Sequence, residues 1–99
     1  MTQILENREA IAKICADLGV ELLDVFGSAT RDDFAPDSDI DVVVRFDRAR
    51  GRMFARYFDL KERLEQIFQR PVDIVLEDSI RNPYFREAIE RNRVHVYES

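Results

Sequence analysis

Apolar residues recur at helical spacing from the start of the chain: Ile4, Ile11, Ile14, Cys15 and Leu18, with Lys13 and Asp17 between them. That rhythm predicts a helix over residues 3–18 with one apolar face. Gly19 follows as its stop, because glycine accepts the left-handed conformation that closes a helix. Residues 20–26, VELLDVF, predict a strand that runs into Gly27-Ser28. Residues 29–38 are polar and contain Pro36, which predicts a loop with at most one helical turn. Residues 39–46, DIDVVVRF, are β-branched and predict a second strand. From about 51 to 69, Met53, Phe54, Tyr57, Phe58, Leu60, Leu64, Ile67 and Phe68 lie along one broad helical face. Arg70-Pro71 ends that helix, since proline disfavours helical backbone at the residue before it. Residues 72–76, VDIVL, predict a third strand. Asn82-Pro83 opens a helix that continues through Tyr84 to about Asn92, with asparagine as cap and proline in the first turn. Residues 94–97, VHVY, alternate and predict a short last strand.

The element order is therefore α-β-β-α-β-α-β. A strand, a long helix and a strand make a right-handed crossover between parallel neighbours. The shorter link between the first two strands suits an antiparallel pair. The expected architecture is α/β (α+β): a small mixed sheet packed with helices. Residues 1–99 show no repeat, low-complexity stretch or linker, and are expected to form one domain.

Composition adds limits. Apolar residues make up 45% of the 99, enough for a modest core, and charged residues reach 35%. The net charge of −5 argues against unaided, non-specific nucleic-acid binding, which needs a basic field. No apolar run approaches membrane-spanning length, no signal peptide is visible, and the one cysteine, Cys15, fits a reducing compartment. A cytoplasmic location is expected. The charge is uneven: residues 1–47 hold 11 acids and 4 bases, and residues 48–99 hold 9 acids and 11 bases. Asp32, Asp33, Asp37, Asp39 and Asp41 make one cluster, and Arg45, Arg48, Arg50, Arg52 and Arg56 make another.

The first cluster carries chemistry. Gly27-Ser28 is followed, after ten residues, by Asp39-Ile40-Asp41. Alternation in a strand points Asp39 and Asp41 the same way, with Cα atoms about 6.5–7 Å apart. Two such carboxylates repel unless a cation sits between them, and Mg²⁺ takes carboxylate oxygens while keeping sites open for phosphate. A pair of this kind can bridge two metal ions, the arrangement that serves phosphoryl and nucleotidyl transfer. Asp73 interrupts the apolar run Val72-Asp73-Ile74-Val75-Leu76, where an unpaired charge is costly to bury. If its strand lies parallel beside residues 39–46, three carboxylates converge. Gly27 lets backbone approach an anion, the following N–H groups and the Ser28 hydroxyl can cradle a phosphate, and Arg31 can face the same oxygens. Anion site, metal site and third carboxylate together describe a nucleoside-triphosphate site. At average residue usage the Gly-Ser-x10-Asp-x-Asp spacing arises by chance in about one chain of this length in a thousand.

The stretch Gly27-Ser28-Ala29-Thr30-Arg31-Asp32-Asp33-Phe34-Ala35-Pro36-Asp37-Ser38-Asp39-Ile40-Asp41-Val42-Val43-Val44 closely resembles the signature of the minimal nucleotidyltransferases, within the DNA polymerase β-like nucleotidyltransferase superfamily. The resemblance spans about residues 4–98, including Pro71–Val75 and the closing Val94–Tyr97 segment. Members often carry glycine after the arginine, where this chain has Asp32. The resemblance implies an MNT-type antitoxin paired with an all-helical HEPN-type ribonuclease toxin. It implies transfer of AMP from ATP to a toxin tyrosine, which silences the toxin. It further implies that Gly27 and Ser28 bind the triphosphate, that Asp39 and Asp41 hold two Mg²⁺ ions, and that Asp73 completes the metal site and helps deprotonate the incoming hydroxyl. Two alternatives stand beside this enzyme: an antitoxin that only binds its toxin, and nucleotidyl transfer to a small molecule. The chain offers little length for a small-molecule acceptor pocket.

Other residues read as structure. His95, on a short terminal strand, is taken as structural rather than as a general base. Cys15 is taken as core, as are Phe54, Tyr57 and Phe58, rather than as a base-stacking platform. For Arg45–Arg56 two readings stand: contact with ATP phosphates or an acidic partner, and a solvated loop.

Overall fold

The computed structural model describes residues 2–30 and 39–99. The first helical stretch is two helices, α1 (Thr2–Glu6) and α2 (Arg8–Leu18), where the apolar rhythm predicts one. Asn7 makes the break. Its side-chain amide donates to the Gln3 carbonyl at 2.8 Å, the acceptor its own N–H would use in a continuous helix. The Asn7 N–H turns instead to Ile4 at 3.2 Å. Ile4 and Ile11 are still both buried, so the apolar face survives the break. α2 stops at Gly19, at φ 69°, whose N–H returns to the Cys15 carbonyl.

Strand β1 (Val20–Phe26) ends in a 3-10 turn over Gly27–Thr30, and β2 (Ile40–Phe46) lies antiparallel to it. The long helix α3 (Met53–Phe68) starts later than its apolar pattern predicts. Asp47 first caps a 3-10 turn over Arg48–Arg50 by accepting from the Ala49 N–H at 3.0 Å. Gly51 and Arg52, both at positive φ, then turn the chain into the helix. β3 (Val72–Leu76), α4 (Pro83–Arg91) and β4 (Val94–Glu98) complete the fold. The Asn82 side chain accepts from the Tyr84 N–H at 2.8 Å, as the Asn-Pro signal predicts. The sheet order is β3-β2-β1-β4, with β2 and β3 parallel and β4 antiparallel to β1. The mixed sheet, the antiparallel first pair and the parallel crossover through α3 all agree with the sequence.

The main core lies between one face of this sheet and α2 with α3. Ile11, Cys15 and Leu18 from α2, and Leu60, Leu64 and Phe68 from α3, cluster with Leu23, Val25, Ile40, Val42 and Val44. Each fully buried aliphatic side chain stabilises the fold by about 1.5–3 kcal/mol. Phe54 and Phe58, expected in this core, are 79% and 49% exposed. At about 100° per residue they fall about 100° and 140° from the centre of the buried face, so the core takes only part of the broad apolar arc. Tyr57 is partly buried against the cluster.

Arg56 occupies a core-facing position on α3 and is 8% exposed. Its guanidinium donates to the carbonyls of Leu18, Gly19, Asp47 and Gly51 and lies 5.2 Å from the centre of the Phe46 ring. The charge is thus spent on backbone carbonyls, two of them at the end of α2, where a cation is favoured.

Alternation puts Asp41, Val43 and Arg45 on the opposite face of the sheet, together with Asp73, Val75 and Glu77. α4 reaches this face through Phe85, whose ring stands edge-on to Phe26 at 6.4 Å. A chain of ion pairs crosses it. Buried Asp24 accepts from Arg93 and lies 2.8 Å from Nδ1 of His95. Arg93 also donates to Glu77 at 2.6 Å, and Arg45 donates to Glu77 and Glu21, each at 3.1 Å. His95 thus lies against the buried Asp24 carboxylate, beside the Arg93 ion pair.

Candidate active site

The site is built where β1 ends and β2 and β3 begin. Phe26 lies directly opposite Asp41, so the Gly27 turn starts against the Asp41 carboxylate. Gly27 has φ 75°, and a Cβ there would stand 2.8 Å from Asp41 Oδ2. The positive φ demands glycine, and any side chain there would also shift the tip of the Asp41 carboxylate. The Thr30 hydroxyl donates to the Gly27 carbonyl at 2.7 Å and closes the turn. Ser28 lies in the same turn.

Asp39 is exposed and immediately precedes β2. Ile40, fully buried in the core, fixes the strand start, and its N–H donates to the Pro71 carbonyl at 3.0 Å. That bond sets the parallel register in which Asp41 lies directly opposite Asp73. Neighbouring strands run about 4.8 Å apart, so these two side chains share one patch of the sheet. The parallel register expected from the sequence thus places Asp73 beside Asp41, and Asp39 lies two residues before Asp41 at the start of β2.

The electrostatics of the patch are unfavourable as they stand. The Asp41 carboxyl is pushed above its ordinary range, first by its own burial, then by the charges of Asp73 and Asp39. Among the described residues no hydrogen bond or ion pair reaches any of the three carboxylates, whereas Asp24, on the same face, is held by Arg93 and His95. Among the described residues no three acidic, imidazole or thiol groups close into a ready-made metal cage. Asp41 and Asp73 offer adjacent hard oxygen donors, the ligand type that Mg²⁺ takes, at the open end of the parallel pair.

Arg31, the expected phosphate contact, lies outside the described residues, as do Asp32, Asp33, Pro36 and Asp37 of the motif. The arginine cluster divides: Arg48, Arg50 and Arg52 are exposed, as a solvated loop requires, while Arg45 and Arg56 are tied into the fold. Arg45 ends in the ion pairs with Glu21 and Glu77, Arg48 pairs with Asp78 at 3.1 Å, and Arg56 is buried on carbonyls. These arginines stand at or beyond the far end of β2, about 15 Å of strand from Asp41. Sequence reasoning missed the Arg56 and Arg93 networks, because backbone carbonyls carry no side-chain signal and Leu18, Asp24 and Glu77 lie far along the chain.

A model of the nucleotidyltransferase domain family matches residues 8–96, and the chain belongs to that family. It is a nucleotidyltransferase. It is 38% identical over 97 residues, 97% of each chain, to a Methanocaldococcus jannaschii protein named "Putative protein adenylyltransferase MJ1379". Its fold superposes with a TM-score of 0.74 on a solved "putative minimal nucleotidyltransferase", at 36% identity, covering 90% of this chain and 88% of that one. A toxin–antitoxin crystal structure with AMP-PNP shares the fold at a TM-score of 0.71 and 20% identity, covering 94% of this chain and 74% of that one. Among the described residues no helix is long and apolar enough to cross a membrane.

Proposed function

We propose that the protein is a Mg²⁺-dependent protein adenylyltransferase that transfers AMP from ATP to a tyrosine of a HEPN-type ribonuclease toxin and so neutralises it in the cytoplasm. The observation that carries this reading is the row of Asp39, Asp41 and Asp73, mutually repelling and without a protein cation among the described residues. The relative named as a protein adenylyltransferase and the fold shared with a toxin–antitoxin chain support it.

Asp39 and Asp41 are the residues that would hold two Mg²⁺ ions, with Asp73 completing the seat. The chemistry these ions supply when bound is charge neutralisation on the triphosphate and on the leaving pyrophosphate. Gly27 leaves the space in which a phosphate approaches backbone, and the Gly27–Thr30 turn and Arg31 supply donors. Asp73 takes the phenol proton of the incoming tyrosine. The tyrosine oxygen bonds to the α-phosphorus while the bond from that phosphorus to the pyrophosphate oxygen breaks.

Incubation with α-labelled ATP, Mg²⁺ and the cognate toxin tests the reading. Label is expected on the toxin with the wild-type protein, and its loss is expected with Asp39→Ala plus Asp41→Ala. A double variant that still protects cells fully, with no label transferred by the wild type, would show that binding alone neutralises the toxin.

A further inference from the structure

Among the described residues β3 is an edge strand: one side of its backbone pairs with β2 and the other side has no strand partner. At Val72 that free side is occupied by a helix. The Val72 carbonyl accepts from Lys61 Nζ at 2.6 Å, and the Val72 N–H donates to Glu65 Oε2 at 2.9 Å. Lys61 and Glu65 are one turn apart on α3 and are themselves paired at 3.0 Å. Two oppositely charged side chains thus grip both backbone groups of one residue. Farther along the edge, the Tyr57 hydroxyl reaches the Ile74 carbonyl at 3.5 Å. The next residue after Val72 is Asp73, whose side chain faces Asp41 on the sheet surface away from α3.

We propose that Lys61 and Glu65 are positioning residues for the metal seat: they hold β3 in place at Val72 and thereby fix Asp73 opposite Asp41. The inference rests on the reading of Asp39, Asp41 and Asp73 as metal ligands. The physical need is plain. An edge strand of five residues pairs with another strand along one side only, and the like charges of Asp41, Asp73 and Asp39 oppose that pairing at its start. The ladder at Pro71 and Ile40 resists from one side. The α3 pair resists from the other, with charge-assisted bonds that are stronger than neutral ones. Supporting groups behind a metal ligand commonly change metal affinity about 10–100-fold when removed. The same bonds also close the edge at Val72 to pairing with a foreign strand.

Mn²⁺ binding to the full chain, followed by calorimetry below the unfolding temperature, tests the clamp without reference to turnover. Glu65→Ala and Lys61→Met are expected to weaken Mn²⁺ binding about tenfold. Glu65→Gln keeps a carbonyl acceptor for the Val72 N–H and is expected to stay within about threefold of wild type. Glu62→Ala, exposed on the same helix, serves as the control. Amide exchange at Val72, read by NMR on folded protein, is expected to quicken in Glu65→Ala and not in Glu65→Gln. If Glu65→Ala and Lys61→Met lower thermal stability but bind Mn²⁺ like wild type, the pair serves the fold alone and the proposal fails. If wild type and Asp73→Asn bind Mn²⁺ equally, Asp73 is no ligand, and the reading beneath the proposal fails with it.

Discussion

Asp41 shows how a single residue trades stability for a site. Its carboxyl is raised by burial and by Asp73 and Asp39, so the folded chain holds that proton more tightly than the unfolded chain does. Stability linked to this group is present at low pH and is lost as pH rises through the folded-state titration. Asp41→Asn removes the liability, so the variant is expected to melt at a higher temperature than wild type at pH 7, with the difference shrinking toward pH 3.5. Mg²⁺ is expected to raise the melting temperature of wild type and not of the variant, since a ligand that binds the folded state stabilises it by mass action. Scanning calorimetry at both pH values, with and without Mg²⁺, reads each outcome. Gly27 belongs to the same scale. Its φ of 75° requires glycine, and a methyl group there would displace the Asp41 carboxylate from its place.

At the scale of elements, α3 does three jobs from two sides, since Lys61 and Glu65 follow Phe54 and Phe58 by seven residues and share their side of the helix. Leu60, Leu64 and Phe68 fill the core, Lys61 and Glu65 grip β3, and Phe54 and Phe58 face solvent. The apolar pattern predicts the first and misassigns the third, because periodicity gives the width of an apolar arc and not how much of it a four-stranded sheet can cover. Leu64→Ala is expected to destabilise the fold by about 2–5 kcal/mol, while Phe54→Ser is expected to change it by no more than about 0.5 kcal/mol. Urea unfolding of both variants checks the division. The split between α1 and α2 has a similar origin: it hangs on one side-chain hydrogen bond of Asn7, which leaves the spacing of apolar residues untouched.

Across the whole molecule, ion pairs share with α4 the covering of the face that carries the site. The sequence shows Asp24, Arg45, Glu77 and Arg93 as scattered charges, and the sheet gathers them into one network. Arg93 and Arg45 hold the Glu77 carboxyl below its ordinary range, Arg93 most strongly. Its contribution is therefore fully present above the unfolded value of about 4.3 and is lost as pH falls through the lower folded value. Glu77→Gln is expected to be less stable than wild type at pH 6, with the gap closing as pH drops below about 4. Denaturant titrations across that range decide it; a gap independent of pH would mean that the charge of Glu77 contributes nothing.

The chain itself determined the local structure and the motif: where strands and helices lie, the antiparallel and parallel neighbours, and the pairing of Gly27 with Asp39, Asp41 and Asp73. These follow from short-range rules, since side-chain alternation, caps and turn residues act over a few positions. Tertiary structure decided which half of the α3 apolar arc is buried, where the arginines spend their charge, and what holds Asp73 in place. Those outcomes depend on groups separated by tens of residues, such as Arg56 with Leu18 or Asp24 with Arg93. Their partners are backbone carbonyls or unremarkable surface charges that carry no local signature, so their roles emerge only when packing brings them together.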